Sequence, residues 1–263
     1  MAQDTQDTQD TQETNPPARG RRAGPAAPRR RPVPTALRRS ALRCSALRRS
    51  DLRRSAAAWV RSTPGTHLWL LILAVTSVIA AALPPHLRSY LLHHVSTNLV
   101  ELRHHPIRVL IASALWIQGP TGLLLYAVLF EVVHATAERW MGTLRWLTTA
   151  AIAHIGATLV SQKAVLFGIR DDRLPHSLAH TVDVGVSYGL AGVAGVLTYR
   201  LPRRWRPLYL AALLGYFGFR LVHDDTFTDL GHLTAVLIGL CCYALTPPGP
   251  DLGRHKAAER TGP

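Results

Sequence analysis

From residue 67 onward the chain carries uncharged apolar stretches such as Leu68 to Leu83 and Leu208 to Phe219, whereas almost no apolar run before that point exceeds three residues. This feature constrains the fold more than any other. A backbone immersed in hydrocarbon must satisfy its own hydrogen bonds, so repeated apolar segments of this length read as membrane-crossing helices. A span needs about 20 mostly apolar residues, and by that criterion helices are expected near 67–83, 119–137, 144–163, 181–199, 208–223 and 230–246. The stretch from Arg103 to Gln118 is a further apolar segment that either begins the second span or lies in the membrane interface.

Averaged composition hides this division. The chain is 48% hydrophobic, yet it carries a formal charge of +14. Much of that charge sits at the beginning, where residues 1–61 hold fourteen arginines against five acidic residues. Residues 1–15 repeat Gln-Asp-Thr and residues 16–34 are rich in Pro, Gly and Arg, so neither stretch buries enough apolar surface to offset its ordering entropy. Residues 36–55 repeat a five-residue Ala-Leu-Arg-Arg-Ser unit, whose period matches neither helix nor strand and spreads the leucines around any helix that forms. The expected organisation is a disordered Arg-rich tail over 1–60, a membrane domain over 61–247 and a short tail over 248–263. The tail next to a first span points to anionic lipid headgroups as its partner. Nucleic acid is not expected, because no aromatic interleaving or known module accompanies the arginines.

Charge also orients the bundle. Lys and Arg gather in alternate short connections on the cytoplasmic side of a membrane protein. The first tail, Arg139 with Arg145, the run Arg200, Arg203, Arg204 and Arg206, and the end with Arg254, Lys256 and Arg260 all fall on one side of a six-helix layout. The opposite side holds the 84–106 segment, Asp171 and Asp172, and Asp224, Asp225 and Asp229, although Arg88, Arg103, Lys163, Arg170 and Arg173 lie there too. Both termini are therefore expected in the cytoplasm, with the body in the plasma membrane. A first apolar run some sixty residues in, followed by Pro84-Pro85, does not read as a cleavable leader.

No cofactor is expected. Cys44, Cys241 and Cys242 form neither a Cys-x-x-Cys pair nor an even framework. The pairs His93-His94 and His104-His105 motivate a metal-handling or transport reading, but adjacent loop histidines are more often solvated than ligating, and no metal site is expected. Trp69, Trp116, Trp140, Trp146 and Trp205 fall near expected interfaces, as an aromatic belt would place them. His134 and His154 read as packing residues bonded to a neighbouring backbone or side chain.

Polar groups inside spans are costly and point to function. A lone serine in a membrane helix usually returns its hydroxyl to the preceding turn. Ser187, however, sits in Asp183-Val184-Gly185-Val186-Ser187-Tyr188-Gly189-Leu190-Ala191-Gly192, where small residues admit a neighbouring helix. The sixth span has a matching face: His232, Ala235 and Gly239 share one side, and positions 231, 235 and 239 are all small. The fourth and sixth spans run in the same direction, placing Ser187 about 9 Å below the outer end of its helix at 1.5 Å per residue, with His232 slightly shallower. A serine and a histidine at similar depth on two close-packing helices are what a nucleophile and its general base require.

These residues resemble the rhomboid family of intramembrane serine proteases, which place a Gly-x-Ser-Gly serine on the fourth of six helices and a histidine on the sixth. Gly185-Val186-Ser187 matches the first three positions, and His232 with Gly239 matches the sixth-helix pattern. His105-Pro106-Ile107-Arg108-Val109-Leu110 looks like the entry to the second helix, and Glu138-Arg139-Trp140-Met141-Gly142 like the Glu-x-x-x-Gly that closes it. The implied fold is an all-α six-helix rhomboid-like bundle covering roughly residues 67–246. The implied activity is hydrolysis of peptide bonds in transmembrane substrates by a Ser187/His232 dyad.

The sequence also departs from the pattern. Tyr188 stands where the family has glycine, Ala235 replaces another, and the second-helix His-x-x-x-Asn that helps hold the oxyanion has no counterpart. Counting back from Glu138 leads to Gly122 and Tyr126, of which Tyr126 keeps a hydroxyl donor. Asp183, one turn before Ser187, and Asp229, one turn before His232, are candidates to orient the imidazole. The alternative is an inactive rhomboid-like protein that binds transmembrane clients through the same helix gaps.

Overall fold

The computed structural model describes residues 54–119, 122–224 and 226–248, and over these residues regular structure is entirely helical. Helix α1 is Pro64–Ala82, followed by three short helices, α2 (Pro85–Val95), α3 (Leu99–His104) and α4 (Pro106–Ser113). Helix α5 (Gly122–Leu129), a π-helical segment (Phe130–Ala135) and α6 (Thr136–Met141) form one rod, since the junction residues Leu129, Ala135 and Thr136 keep right-handed helical angles. Then come α7 (Thr143–Arg170), α8 (Val186–Leu197), α9 (Arg206–Asp224) and α10 (Phe227–Cys241), with short 3-10 segments at His176–His180, Thr198–Arg200 and Cys242–Leu245. Among the described residues three segments are long and apolar enough to cross a membrane, namely Pro64–Ala82, Thr143–Arg170 and Phe227–Leu245. Much of the outer surface is apolar: Leu68, Leu71 and Val78 on α1, Leu144 on α7, and Phe219 and Val222 on α9 are all exposed. A contiguous apolar exterior of this kind suits lipid and not water.

Several boundaries differ from those read in the sequence. Residues 54–62, placed mostly in the disordered tail, are helical. Ala56, Ala57 and Ala58 favour helix, and Trp59 is tied to the body by its indole N–H, which donates to Glu131 Oε2 at 2.7 Å. Most of the expected tails, residues 1–53 and 249–263, lies outside the described residues. The 103–118 stretch does not begin the second span; its middle forms the separate helix α4 and residues 114–118 are not helical. The fourth span was expected from residue 181, but α8 starts at Val186. The reason is tertiary: the Asp183 carbonyl accepts from Thr97 N and Oγ1 at 3.0 and 3.1 Å, and Gly185 N donates to Ser113 O at 3.1 Å, so this backbone is hydrogen-bonded to other segments. Trp69 and Trp146 are not interface anchors. Trp146 is fully buried and donates from its indole N–H to His134 Nδ1 at 2.8 Å, while Trp69 packs on it at a ring separation of 5.9 Å.

The core of the bundle is the trio α7, α8 and α10. A side chain at Gly195 would come within 2.5 Å of the Val236 carbonyl, and one at Gly239 would collide with the Gly192 backbone. The small residues thus let α8 and α10 meet backbone to backbone, which fixes the separation of whatever they carry.

One turn of chain reverses direction between α6 and α7. It is a single residue, Gly142, at φ 85° and ψ 157°, a region open essentially to glycine alone. A methyl group there would meet nothing within 4 Å, so the constraint is conformational. Gly142→Ala is expected to lower stability by about 1–3 kcal/mol without disturbing neighbouring packing. Thermal unfolding in detergent measures this, and an unchanged midpoint would contradict it.

Glu138, one turn before Gly142, is 1% exposed. Its carboxylate accepts from Gly65 N at 2.9 Å, Thr66 N at 2.8 Å, Thr66 Oγ1 at 2.7 Å and Thr143 Oγ1 at 2.8 Å. It therefore caps the start of α1, where unpaired N–H groups and the helix dipole favour an anion, and ties α1, α6 and α7 together.

Candidate active site

Gly185 precedes α8, so Ser187 is the second residue of that helix. His232 stands in the second turn of α10, whose start is held by Thr226: its side chain accepts from Asp229 N while its hydroxyl donates to Asp229 Oδ2. The close approach of α8 and α10 brings the two side chains together, with Ser187 Oγ and His232 Nε2 2.9 Å apart, a hydrogen bond.

Two aromatic rings hold the imidazole. Tyr188 meets it edge-on with ring centres 5.1 Å apart and an interplanar angle of 70°, and Phe217 of α9 lies on another side at 5.7 Å. Tyr188 is itself immobilised. It is fully buried, its hydroxyl donates to Asp183 Oδ2 at 3.1 Å, and a side chain at Gly231 would come within 2.6 Å of its ring. Gln162 Nε2 reaches the same Asp183 oxygen at 3.4 Å, and Asp183 N donates to Ser96 Oγ at 2.9 Å. A buried polar network of this kind, with its members bonded to one another, gives rigidity.

Among the described residues neither aspartate is hydrogen-bonded to the imidazole. Asp183 lies before the helix and not on it, and its carboxylate binds Tyr188 and Gln162, so it does not bond the imidazole. Asp229 Oδ1 accepts from Arg220 Nε at 3.2 Å and Oδ2 from Thr226, which leaves neither oxygen bonded to His232 among the described residues. Tyr126 does approach the site: it lines the same cavity as Ser187 and His232.

That cavity, of about 470 Å³, lies among the α5 rod, α8, α9 and α10. Ser187 and His232 open into it, Leu125, Leu129 and Leu190 supply apolar wall, and Arg220 and Asp229 provide charge. The site thus offers a hydroxyl hydrogen-bonded to an imidazole, in a mostly apolar space large enough for a few residues of extended peptide. That pairing is chemistry for acyl transfer.

His134 and His154 occupy other parts of the bundle. His134 accepts from Trp146, and His154 Nε2 lies 2.8 Å from Leu110 O and 3.3 Å from Ser113 Oγ. Sequence reasoning missed Gln162, Phe217 and the supporting role of Tyr188. Gln162 had a readable signal, being an amide inside an apolar helix; Phe217 and Tyr188 look like ordinary aromatic residues of a span.

Comparison with known proteins gives a family for the chain. A family model described as rhomboid-like protein matches residues 58–251, from the helical turn before α1 to beyond α10. No curated protein and no solved structure matches the chain. Since the matched region takes in every helix that builds the core and the site, the chain belongs to the rhomboid-like protein family.

Proposed function

We propose that this protein is a rhomboid-type intramembrane serine protease of the plasma membrane, with six spans and both termini in the cytoplasm. The observation that carries the reading is the 2.9 Å hydrogen bond between Ser187 Oγ and His232 Nε2. Six rods support the span count: α1, the α5–α6 rod, α7, α8 with its 3-10 extension, α9 and α10. The alternation of Arg-rich and Asp-bearing connections supports their orientation.

In this mechanism His232 takes the proton of Ser187 as Oγ attacks a peptide carbonyl of a membrane-embedded substrate. The carbonyl oxygen becomes an oxyanion, met by the N–H of Ser187 in the first turn of α8 and by the Tyr126 hydroxyl. Collapse expels the amine, which receives the proton from His232 and leaves an ester on Ser187. Water, deprotonated by the same imidazole, then releases the carboxylic acid and restores the serine. Tyr188 and Phe217 keep the ring aligned in place of a bonded carboxylate.

Labelling with a fluorophosphonate tests this directly. The purified protein is expected to form a covalent adduct that peptide mapping places on Ser187, and an adduct elsewhere, or none, would sink the reading. Tyr126→Phe is expected to lower kcat by about 10²-fold with little change in KM, the usual effect of removing one oxyanion donor. An unaltered kcat would take Tyr126 out of the mechanism.

A second reading is an inactive member that binds transmembrane clients. It is favoured by one observation, that Gly122 and Tyr126 stand where the resembled family carries its His-x-x-x-Asn pair. Absence of both labelling and cleavage, with client capture retained, selects this reading.

A further inference from the structure

The geometry points to a binding site for the phosphodiester headgroup of an anionic phospholipid, built by the folded body on the face that carries Arg139 and Arg200. A cavity of about 440 Å³ there is lined by Trp59, Thr136, Arg139, Trp140 and Arg200. A second cavity of about 370 Å³ shares Trp140 and Arg200 and adds Arg203 and Arg206. Among the described residues none of these four arginines is paired with a carboxylate.

Three of the four touch neighbours of the folded body. Arg206 is spent on structure, donating to the carbonyls of Leu201 and Tyr199, both at 2.9 Å. Arg139 lies over the Trp59 ring at 4.3 Å from its centre. Arg200 makes one long hydrogen bond, 3.5 Å, to Thr136 O. Arg139 and Arg200 therefore face one concave space with most of their guanidinium N–H groups uncommitted, and a planar fork of donors fits phosphate oxygens two at a time. The acid closest in the bonding network, Glu131, is occupied, accepting from Trp59 at 2.7 Å and pairing with His67 at 3.1 Å.

A row of apolar side chains distinguishes a lipid from a free anion. Leu124, Val128 and Val132 are 77%, 54% and 62% exposed, and they recur every fourth residue along the α5 rod until Thr136 in the cavity wall. Such a row is one face of a helix and suits an acyl chain lying alongside it. Trp59 and Trp140 beside the arginines are the residue type that settles at the boundary between hydrocarbon and water. Acyl contact, aromatic boundary and paired guanidinium groups follow one another in the order tail, glycerol region and phosphate of a single lipid.

This site rests on the membrane placement of the chain and is independent of the Ser187/His232 chemistry. The test uses the full chain in phosphatidylcholine nanodiscs, with phosphatidylglycerol added stepwise and the thermal midpoint followed, since a ligand that binds only the folded state raises it. Phosphatidylglycerol is expected to raise the midpoint of the native chain by several degrees, and Arg139→Gln/Arg200→Gln to lose more than half of that rise. The corresponding double lysine variant is expected to keep part of it, having the charge without the fork. Inorganic phosphate is expected to do nothing. An equal rise in the native and glutamine chains would overturn the proposal by placing the lipid effect elsewhere, including on the Arg-rich residues 1–53. A rise with inorganic phosphate equal to that with lipid would overturn it in favour of a free-anion site. If the glutamine variant is unstable in pure phosphatidylcholine, quenching of tryptophan fluorescence in the native chain by phosphatidylglycerol brominated near its headgroup replaces it. Quenching no stronger than with the matching phosphatidylcholine would be a negative result. A chain that labels at Ser187 but shows no lipid effect refutes this site alone.

Discussion

Ser187→Ala is expected to reduce cleavage of a transmembrane substrate by at least about 10³-fold, His232→Ala by a similar factor, and the double variant by no more than either. In the proposed mechanism the two groups act as a unit: without the imidazole the hydroxyl keeps its proton, and without the hydroxyl the imidazole has nothing to activate. Their 2.9 Å separation makes that coupling direct. Ser187 opens into a cavity, so removing its oxygen costs the bond to His232 but opens no void in the packing, and the thermal midpoint should change little. Cleavage that persists in Ser187→Ala would mean another nucleophile, and full activity in His232→Ala would mean another base. Additive losses in the double variant would argue against a dyad.

Glu138→Ala is expected to be the most damaging single change to the fold. It would leave two backbone N–H groups at the start of α1 and two threonine hydroxyls without their acceptor in a buried site. An unsatisfied buried polar group costs about 1–3 kcal/mol, and with partial relaxation the sum is about 3–5 kcal/mol. Against a total stability of about 5–15 kcal/mol, that is a large fraction. Glu138→Gln retains the shape but brings an NH₂ group against donors, so an intermediate loss is expected. Unfolding in mixed detergent micelles measures both, and a loss below about 1 kcal/mol in the alanine variant would remove the capping role. Because Glu138 lies outside the cavity that holds Ser187, any Glu138→Ala protein that remains folded should still label with fluorophosphonate.

Glu138 also shows how far a sequence motif reaches. Its place before Gly142 was readable as a Glu-x-x-x-Gly pattern, and the positive φ of Gly142 explains the glycine. That the carboxylate serves the start of α1, 72 residues earlier, was not readable, because the partners are backbone N–H groups that any residue presents. The aspartates teach the same lesson from the opposite side. Helical spacing placed Asp183 one turn from Ser187, but the helix does not extend that far: Ser96, Thr97 and Ser113 bond the backbone and carbonyl groups around it. Tyr188, a departure from the glycine of the resembled family, became the ring that backs His232, and Gly231 on the facing helix supplies the room.

What the sequence by itself determined is the helical body and the small-residue faces that carry Ser187 and His232. Both depend on local properties: apolar length sets a helix across hydrocarbon, and small residues at every fourth position open one face to a neighbour. Only the tertiary structure decided where α8 begins, which groups Asp183, Asp229 and Glu138 serve, and that Arg139 and Arg200 face one cavity. Each of those outcomes rests on hydrogen bonds or charges from segments far apart in the chain. A residue's type states what it can bond, and only the packing of helices states what stands within reach.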